Sequence, residues 1–228
     1  MRIRNVKNKE EILDNCSFLL NNPKEYKGKF KELFNNDNPI YLEIGMGKGQ
    51  FIYQNAKKYK DINFIGIERF DSIMAKAILK MEKLDNLILI KYDANLIDDL
   101  FDHEIDKIYL NFSDPWPKNR HENRRLTSPN FLKTYDKLFK KEKRIEFKTD
   151  NMGLFLEKYK NIFKDKERIE VRTDNRDFFL YSVESLGDMG YLLNDVSFNY
   201  QSPDLIMTEY ESKFRGKGAN IYHFFAEK

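Results

Sequence analysis

Cysteine and histidine are scarce in this sequence. Its 228 residues include one cysteine, Cys16, and three histidines. A single cysteine excludes an internal disulfide bond and a cysteine-based metal cluster. Because histidines are so few and no carboxylate stands at ligand spacing from His121, we expect no metal site.

Long apolar runs are absent as well. No stretch approaches the roughly 18 apolar residues that a membrane-spanning helix needs. The segment Met1–Lys7 is charged and lacks the apolar core of a secretory signal. We therefore expect a cytoplasmic protein with no membrane partner, and the sequence leaves open whether it is a monomer or a homodimer.

The chain has little excess charge of either sign. Forty Lys and Arg stand against 37 Asp and Glu, which gives a net charge of +3, and 41% of the residues are hydrophobic. This composition allows one compact domain with a buried core, since domains mostly contain about 100–250 residues. So small a net charge indicates nucleic acid only if the basic residues cluster on one face.

Short apolar runs alternate with helical patterns from residue 39 onward. The runs are Ile40–Ile44, Asn63–Glu68, Leu87–Ile90 and Lys107–Phe112, and the helical patterns are Gln50–Tyr59, Asp71–Leu84 and a short helix near Leu96–Phe101. Nearly all-apolar strands that alternate with helices are typical of a parallel sheet covered on both faces. We therefore predict an α/β, doubly wound domain over residues 39–228, preceded by a polar, partly helical extension over residues 1–38.

A glycine-rich turn follows the first predicted strand. Glycines alternate with other residues in Glu43–Gly49, with Gly45 and Gly47 directly after the strand. Glycine lets the backbone turn sharply and approach a ligand closely, and the next helix offers free N–H groups. A turn with no ligand explains the glycines equally well. Glu68 at the end of the second strand favours a bound nucleoside, because its carboxylate would accept hydrogen bonds from the ribose hydroxyls.

The acid before the glycines narrows the choice of cofactor. A dinucleotide site has a different glycine pattern, and Glu43 would repel a pyrophosphate. A carboxylate there would attract an ammonium or a sulfonium, and S-adenosylmethionine carries both. Asp93, just after the third strand, is a candidate for the adenine amino group, although an N-cap of the next helix is the simpler interpretation.

A second candidate site follows the fourth strand, in residues 111–127. It combines Asp114, two prolines, the only tryptophan (Trp116) and a run of basic residues. Open α/β sheets bind ligands at this end of their strands. Trp116 is either a stacking platform for a base or a plug against the sheet. The following basic residues are candidate phosphate contacts: Lys118, Arg120, His121, Arg124 and Arg125.

The residues before the last predicted strand, Ile221–Phe225, form a third polar segment, Thr208–Tyr222. From its composition alone we predict a solvent-exposed turn. A repeat stands between the second and third segments: Arg144–Asn151 recurs 24 residues later as Arg168–Asn175, and both copies contain Thr-Asp-Asn. Two copies indicate a local duplication inside one fold, because repeat arrays normally need three or more.

Together these segments resemble the bacterial tRNA (guanine-N7)-methyltransferase family over nearly the whole chain. The most specific matches are SDPWPKNRH at residues 113–121 and TEYE at residues 208–211. The resemblance implies a mostly parallel, seven-stranded Rossmann-like methyltransferase sheet and methylation of a guanosine in the variable loop of tRNA. It implies cofactor contacts at Glu43, Glu68, Asp93 and Asp114, with Asp114 catalytic.

The resemblance also implies substrate contacts at Lys118, at the Asp of the Thr-Asp-Asn motif, and across Thr208, Glu209, Tyr210 and Glu211. The family has one copy of that motif and this chain has two, so Asp150 and Asp174 are both candidates. We predict that both copies are strands, that residues 151–163 are a crossover helix, and that Asp150 lies beside Asp114 with Asp174 one strand further out. A looped-out copy is the alternative.

Three other functions are compatible with parts of the pattern. Asp114-Pro115-Trp116 loosely matches the motif of exocyclic-amine methyltransferases, but it has one proline before the aromatic residue and adjoins a basic run. A nicotinamide oxidoreductase would need a different glycine pattern. A non-catalytic RNA-binding module on the same fold would fail to bind S-adenosylmethionine.

Overall fold

The computed structural model describes residues 6–112, 123–126, 128–141, 144–148, 168–188, 190–203 and 206–227. It divides the chain into two compact units. The first contains Met1–Tyr109 and Thr134–Glu142, and the second contains Leu110–Lys133 and Lys143–Lys228. The expected boundary after residue 38 stays a prediction.

Strands and helices alternate through the first part of the chain. In order they are α1 (Lys9–Asp14), α2 (Phe30–Phe34), β1 (Ile40–Ile44), α3 (Gln50–Lys58), β2 (Asn63–Glu68), α4 (Asp71–Ile78), β3 (Leu87–Lys91) and β4 (Lys107–Asn111), with 3-10 helices at Pro23–Tyr26 and Ala94–Asp99. β1 pairs in parallel with β2 and β4, and β2 pairs in parallel with β3. Ile40, Leu42 and Phe64 are fully buried, so these strands have the two covered faces that their apolar sequences indicate.

The first unit includes the N-terminal segment from residue 6. Leu20 N donates to Leu89 O, and Leu89 N donates to Phe18 O, so this segment bridges to β3. The buried Glu104 carboxylate accepts from the backbone N–H groups of Gly28 and Phe30 at 2.9 and 3.0 Å.

The predicted helix over Asp71–Leu84 is too long, since α4 ends at Ile78. Lys80 N and Met81 N donate to the carbonyls three residues before them, which turns the chain out of the helix. Met81 then folds back beneath the glycine turn, where its Cε would lie 2.1 Å from a Cβ placed on Gly49. The helix therefore ends before Met81, whose side chain packs under this turn.

The remaining elements are α5 (Pro129–Asp136), β5 (Ile145–Lys148), β6 (Arg168–Thr173), α6 (Arg176–Asp188), β7 (Leu192–Ser197), α7 (Glu209–Arg215) and β8 (Tyr222–Glu227). The strands form a five-stranded sheet in the order β3-β2-β1-β4-β5 and a three-stranded sheet in the order β6-β8-β7. β8 is antiparallel to both of its neighbours. The chain thus has an α/β fold with a mostly parallel central sheet of five strands, and a single seven-stranded sheet is not confirmed.

Each copy of the repeated segment contains a strand, β5 in the first copy and β6 in the second. The two strands lie against each other, and β6 pairs with β8 from Arg168 to Thr173. Val171 of β6 is buried. The predicted crossover helix over residues 151–163 lies outside the described residues.

Candidate functional site

The turn between β1 and α3 depends on its glycines. Gly45, Gly47 and Gly49 have φ angles of 74°, 59° and 70°, a left-handed region that other residues rarely adopt. The N–H groups of Gly45 and Met46 both donate to Ile67 O, at 2.9 and 3.0 Å. The turn is therefore fastened to the end of β2, at the carboxyl edge of the sheet.

The space around the turn differs from one glycine to the next. A Cβ on Gly49 would collide with Met81, whereas a Cβ on Gly47 would meet nothing within 4 Å. Gly49 therefore serves packing. The backbone at Gly47 faces open space, as a backbone that approaches a ligand must.

Glu68 joins β2 to this turn. Its Oε2 accepts from Gly47 N at 3.2 Å, and its Oε1 accepts from Arg69 N and Phe70 N at 2.9 and 3.0 Å. The residue is 7% exposed. Burial raises the pKa of the Glu68 carboxyl above its ordinary value, although the three backbone donors oppose the shift.

Asp93 caps the 3-10 helix that follows β3, as the simpler interpretation of the sequence holds. Its Oδ1 accepts from Asn95 N at 2.9 Å and from Asn95 Nδ2 at 2.7 Å. The Asn95 backbone bond is the main cause that lowers the pKa of Asp93. Arg69, which the sequence analysis missed, places its guanidinium 3.7 Å from Asp93 Oδ2. Capping uses Oδ1 of the carboxylate, and Oδ2 faces the Arg69 guanidinium.

These residues are suited to a cationic nucleoside. Glu43 at the end of β1 is 2% exposed, Glu68 is buried beside the turn, and Gly47 opens to free space. Two carboxylates attract positive charge and can accept from hydroxyl groups. A pyrophosphate would be repelled by the same pair.

Several predicted site residues of the second unit lie outside the described residues. These are Asp114, Trp116, Lys118, Arg120, His121 and Asp150. The structure describes Asp174, directly after β6, and the segment Thr208–Glu211. It brings Asp174 to this segment, because Tyr210 Oη lies 3.5 Å from Asp174 Oδ1.

The prediction of an exposed turn at Thr208–Tyr222 is wrong, because α7 occupies Glu209–Arg215. Thr208 is its N-cap, and its Oγ1 accepts from Glu211 N at 3.1 Å. Thr followed three residues later by Glu is the sequence signature of a capping box at a helix start. That signal was present in the sequence and would have identified the helix.

Tyr210 of α7 lies between two other rings. Its centroid is 4.1 Å from that of Phe112 and 4.4 Å from that of Phe214, with interplanar angles of 25° and 26°. Stacked aromatic pairs add about 0.5–1.5 kcal/mol each beyond their buried area. Phe112 directly follows β4, so the stack joins α7 to the end of that strand.

Glu211 faces the interior of the unit. It is 1% exposed, and Arg215 NH2 lies 3.1 Å from its Oε1. The same guanidinium donates to Tyr200 O. The pair between Arg215 and Glu211 Oε1 therefore helps to hold α7 in place, and the predicted substrate contact at Glu211 stays a prediction.

Five charged or titratable side chains form a buried charge cluster between the repeated strands and β8. They are Glu146, Lys148, Glu170, Arg172 and His223. Lys148 Nζ is 2.8 Å from Glu146 Oε1, and Arg172 Nε donates to Glu170 Oε1 at 2.7 Å. Burial lowers the pKa of Lys148. The Glu-x-Lys pair of one copy thus lies beside the Glu-x-Arg pair of the other.

The sequence analysis missed this cluster, since charged residues that alternate in a strand indicate a solvated face. His223 adds to it from β8, with Nε2 3.3 Å from Glu170 Oε1. The repeat itself was the available signal, because equivalent positions on neighbouring strands come together on one face.

The two described arginines of the basic run have different surroundings. Arg124 is exposed, whereas Arg125 is 8% exposed. Arg125 O accepts from Ser128 N at 2.9 Å, just before α5. Arg125 is thus buried where Arg124 is exposed, and the phosphate contacts of both residues stay predictions.

Neither a metal site nor a membrane-spanning helix is found in the described part of the chain. No group of three or more His, Cys, Asp or Glu residues there has the arrangement of a metal site. No helix within the same residues is long and apolar enough to cross a bilayer.

The fold resembles that of solved methyltransferases. A structure titled "Structure of an antibiotic related Methyltransferase" aligns with 91% of this chain and 94% of its own, with a TM-score of 0.51 and 18% identity. The 16S rRNA (adenine(1408)-N(1))-methyltransferase from Catenulisporales acidiphilia aligns over 91% and 94%, with a TM-score of 0.50 and 14% identity. At such identities the likeness shows the α/β methyltransferase fold alone.

Sequence comparison identifies the family. A family model described as "Putative methyltransferase" matches residues 37–155. The tRNA (guanine-N(7)-)-methyltransferase of Lachnoclostridium phytofermentans is 41% identical, over 99% of this chain and 98% of the relative. The protein of the same name from Bacillus subtilis (strain 168) is 42% identical, over 97% and 96%. With identity at this level over nearly its full length, the chain belongs to the tRNA (guanine-N(7)-)-methyltransferase family.

Proposed function

We propose that the protein transfers a methyl group from S-adenosylmethionine to N7 of a guanosine in the variable loop of tRNA. One observation carries the proposal: in a chain of this family, the buried Glu68 carboxylate accepts from Gly47 N of the open glycine turn, and the buried Glu43 stands two residues before Gly45. Such a site suits a nucleoside that carries positive charge.

The proposed cofactor contacts are Glu43, Gly45, Gly47, Glu68, Asp93 and Asp114. Glu68 would accept from the ribose hydroxyls, and Asp93 would accept from the adenine amino group with the oxygen that does not cap the 3-10 helix. Glu43 would attract the positive end of the cofactor. When bound, S-adenosylmethionine supplies the methyl group on a sulfonium sulfur.

The reaction does not require the protein to remove a proton from its substrate. Guanine N7 has a free lone pair, so no side chain has to remove a proton from it. The methylated guanine becomes positively charged, and a fixed carboxylate such as Asp114 stabilises that charge without reorganising. The remaining contribution is to hold the nucleophile in line with the methyl group.

The proposed substrate contacts lie in the second unit, at Lys118, Asp150, Asp174 and the segment Thr208–Glu211. The proposed role of Asp174 as a substrate contact is supported by its position beside Tyr210. Within Thr208–Glu211, Thr208 caps the helix, Tyr210 stacks on other rings and the side chain of Glu209 is half-buried. We therefore expect Thr208 and Glu211 to support the site by holding α7.

We also propose that the repeat added one strand to the usual methyltransferase sheet. The pairing of β6 with β8 and the contact of β6 with β5 support an added strand over a looped-out copy. In that arrangement Asp150 and Asp174 follow neighbouring strands, about 4.8 Å apart.

The decisive test is incubation of the purified protein with methyl-labelled S-adenosylmethionine and unmodified tRNA, followed by nucleoside analysis. We expect label in 7-methylguanosine, and none when the variable-loop guanosine is replaced by adenosine. Label in an exocyclic-amine nucleoside would assign the protein to that class of methyltransferase. A failure to bind S-adenosylmethionine in calorimetry would indicate a non-catalytic RNA-binding module.

The pH dependence of cofactor binding tests Glu68. Its ionised form is the better acceptor for ribose hydroxyls, and burial raises its pKa above the ordinary 4.5. As the pH falls, Glu68 should therefore become protonated at a higher pH than an ordinary glutamate does. The binding of S-adenosylmethionine should weaken over the same pH range. The pKa of Asp93 is lowered, so Asp93 stays ionised in that range.

Calorimetric titration at several pH values measures this dependence. The matched control is Glu68→Gln, which should bind more weakly and lose the transition. An identical pH profile in Glu68→Gln would show that another group is responsible.

The basic run is tested through its two described arginines. Each side chain that neutralises a phosphate adds about 0.7–0.9 to the slope of log affinity against log salt for nucleic acid. Arg124→Ala should therefore lower the slope for tRNA by about one unit, whereas Arg125→Ala should leave it unchanged because Arg125 is buried. Binding measured between low and moderate salt separates the two, and an unchanged slope in Arg124→Ala would mean that this residue is merely solvated.

A further inference from the structure

The 3-10 helix after β3 begins at a proposed cofactor contact and is irregular. Asp93 is its N-cap, and Asn95 N donates to Asp93 Oδ1 at 2.9 Å. The helix spans Ala94–Asp99, and Leu96 inside it has non-helical angles, with a φ of −114° and a ψ of 21°. Because 3-10 hydrogen bonds have poor geometry, runs longer than about four residues are uncommon. The shape of this helix therefore depends on contacts from outside it.

The end of the helix is fastened to residues 24–30 of the N-terminal segment. Lys24 Nζ lies 2.7 Å from Asp99 Oδ2, and Lys27 Nζ donates to Asp98 O. Both lysines are exposed, and exposed ion pairs contribute little on their own. These two contacts therefore need a buried contact beside them if they are to hold the helix.

Glu104 supplies that buried contact. Its carboxylate accepts from Gly28 N and Phe30 N at 2.9 and 3.0 Å, and from Asp102 N at 3.3 Å. One side chain thus joins residues 24–30 to the loop that leaves the 3-10 helix. Removing such an acceptor leaves buried N–H groups unsatisfied, which costs much more than breaking an exposed pair.

The helix is buried in its middle and packed at its end. The ring of Phe30 stacks against that of Phe101 at a centroid distance of 4.7 Å, and both residues are fully buried. Ile97 within the helix is fully buried too, whereas Asn95 and Leu96 near its start are exposed. The buried end, which the N-terminal segment contacts, therefore determines where the exposed start lies.

We propose that residues 24–30 and Glu104 position the cofactor site. They hold the 3-10 helix and thereby the Asn95 N–H group that orients the Asp93 carboxylate. This inference rests on the proposed function for the role of Asp93 as a contact of S-adenosylmethionine. Glu104 is thus a positioning residue that acts on the cofactor through the helix.

Calorimetry on a double-mutant cycle tests this role. Glu104→Gln keeps the shape of the side chain but puts an NH2 group where a carboxylate oxygen accepts, so at least one backbone N–H loses its acceptor. It should weaken the binding of S-adenosylmethionine about 10-fold, the lower end of what a hydrogen bond to a charged group contributes. In an Asp93→Ala background the same change should weaken binding by less than about twofold, because residues that act as a unit are not additive. Equal losses in the two backgrounds would overturn the proposal.

The exposed lysines provide a second variant that leaves the core intact. Lys24→Ala combined with Lys27→Ala should weaken cofactor binding about two- to threefold, as expected of exposed contacts. The matched control is Lys31→Ala, which breaks an exposed 2.6 Å ion pair of the same segment with Asp37 and should leave binding unchanged. If Glu104→Gln does not fold, the cycle is run with the lysine variant, and an affinity equal to that of the control would then overturn the proposal.

Amide hydrogen exchange gives a readout that needs no cofactor. Exchange in residues 94–104 should be faster in Glu104→Gln than in the unsubstituted protein, while exchange in β1 and β2 stays the same. Faster exchange in β1 and β2 as well would assign Glu104 a purely structural role and overturn the proposal. Unchanged exchange in residues 94–104 would also overturn it.

Steady-state kinetics adds a separation of cofactor binding from turnover. Glu104→Gln should raise the KM for S-adenosylmethionine and leave kcat and the KM for tRNA within about twofold, as expected when only cofactor binding is lost. The two hypotheses fail separately. If the unsubstituted protein does not bind S-adenosylmethionine, the proposed function is wrong, whereas exchange in residues 94–104 still decides whether Glu104 holds the helix.

Discussion

Asp114→Ala is expected to lower the rate of methyl transfer by about 100- to 1,000-fold, far more than it lowers the affinity for S-adenosylmethionine. The reason is that a fixed carboxylate stabilises the charge that develops on guanine in the transition state more than it stabilises the bound cofactor. Asp114 lies outside the described residues, and its role follows from the resemblance of residues 113–121 to the family. Single-turnover rates at saturating tRNA and cofactor measure the effect directly.

A suitable control for Asp114→Ala is Asp61→Ala, because Asp61 is an exposed aspartate before β2. This control should retain full activity and stability. If Asp114→Ala turns over at a near-normal rate with both substrates saturating, another carboxylate performs the catalytic function.

Glu170→Ala is expected to lower the free energy of unfolding by about 3–5 kcal/mol, the usual cost of removing one member of a buried ion pair. The substitution leaves Arg172 and His223 without the carboxylate that both contact, and the side chain of Arg172 is only 13% exposed. Burial and the nearby charge of Glu146 raise the pKa of Glu170, but His223, Arg172 and Lys148 outweigh them and the pKa is lowered overall. Urea denaturation measures the change.

The matched control is Glu25→Ala, since Glu25 is exposed. Such a surface substitution usually changes stability by less than about 0.5 kcal/mol. The double substitution Glu170→Leu with Arg172→Met should recover part of the loss, because replacing a buried pair by apolar residues is often neutral or stabilising. A loss below about 1 kcal/mol in Glu170→Ala would show that water reaches the buried charge cluster.

The strands of the first unit could be predicted closely from the sequence. β1 and β2 have the predicted bounds, because strands buried on both faces consist almost entirely of apolar residues. The predicted end of α4 failed because apolar periodicity continues to Met81, while the chain leaves the helix to pack that residue under Gly49. Periodicity reports which side chains are buried, and it does not report which element buries them.

The second unit was harder to predict for two physical reasons. Its helix α7 is short and polar, so only the capping residues Thr208 and Glu211 reveal it. Its interior contains charges, and a sequence pattern cannot distinguish a buried ion pair such as Glu146 and Lys148 from a solvated face. The candidate residues themselves came from the resemblance, which assigns a role to a position without showing which way its side chain points.

The buried charge cluster has an evolutionary consequence. Each copy of the repeat now supplies countercharges to the other, since Lys148 lies near Glu170 and Arg172 lies near Glu146. Deleting the second copy would leave the charges of the first in a nonpolar interior, at a cost comparable to much of a domain's stability. A later change in either strand therefore requires a matching change in the other.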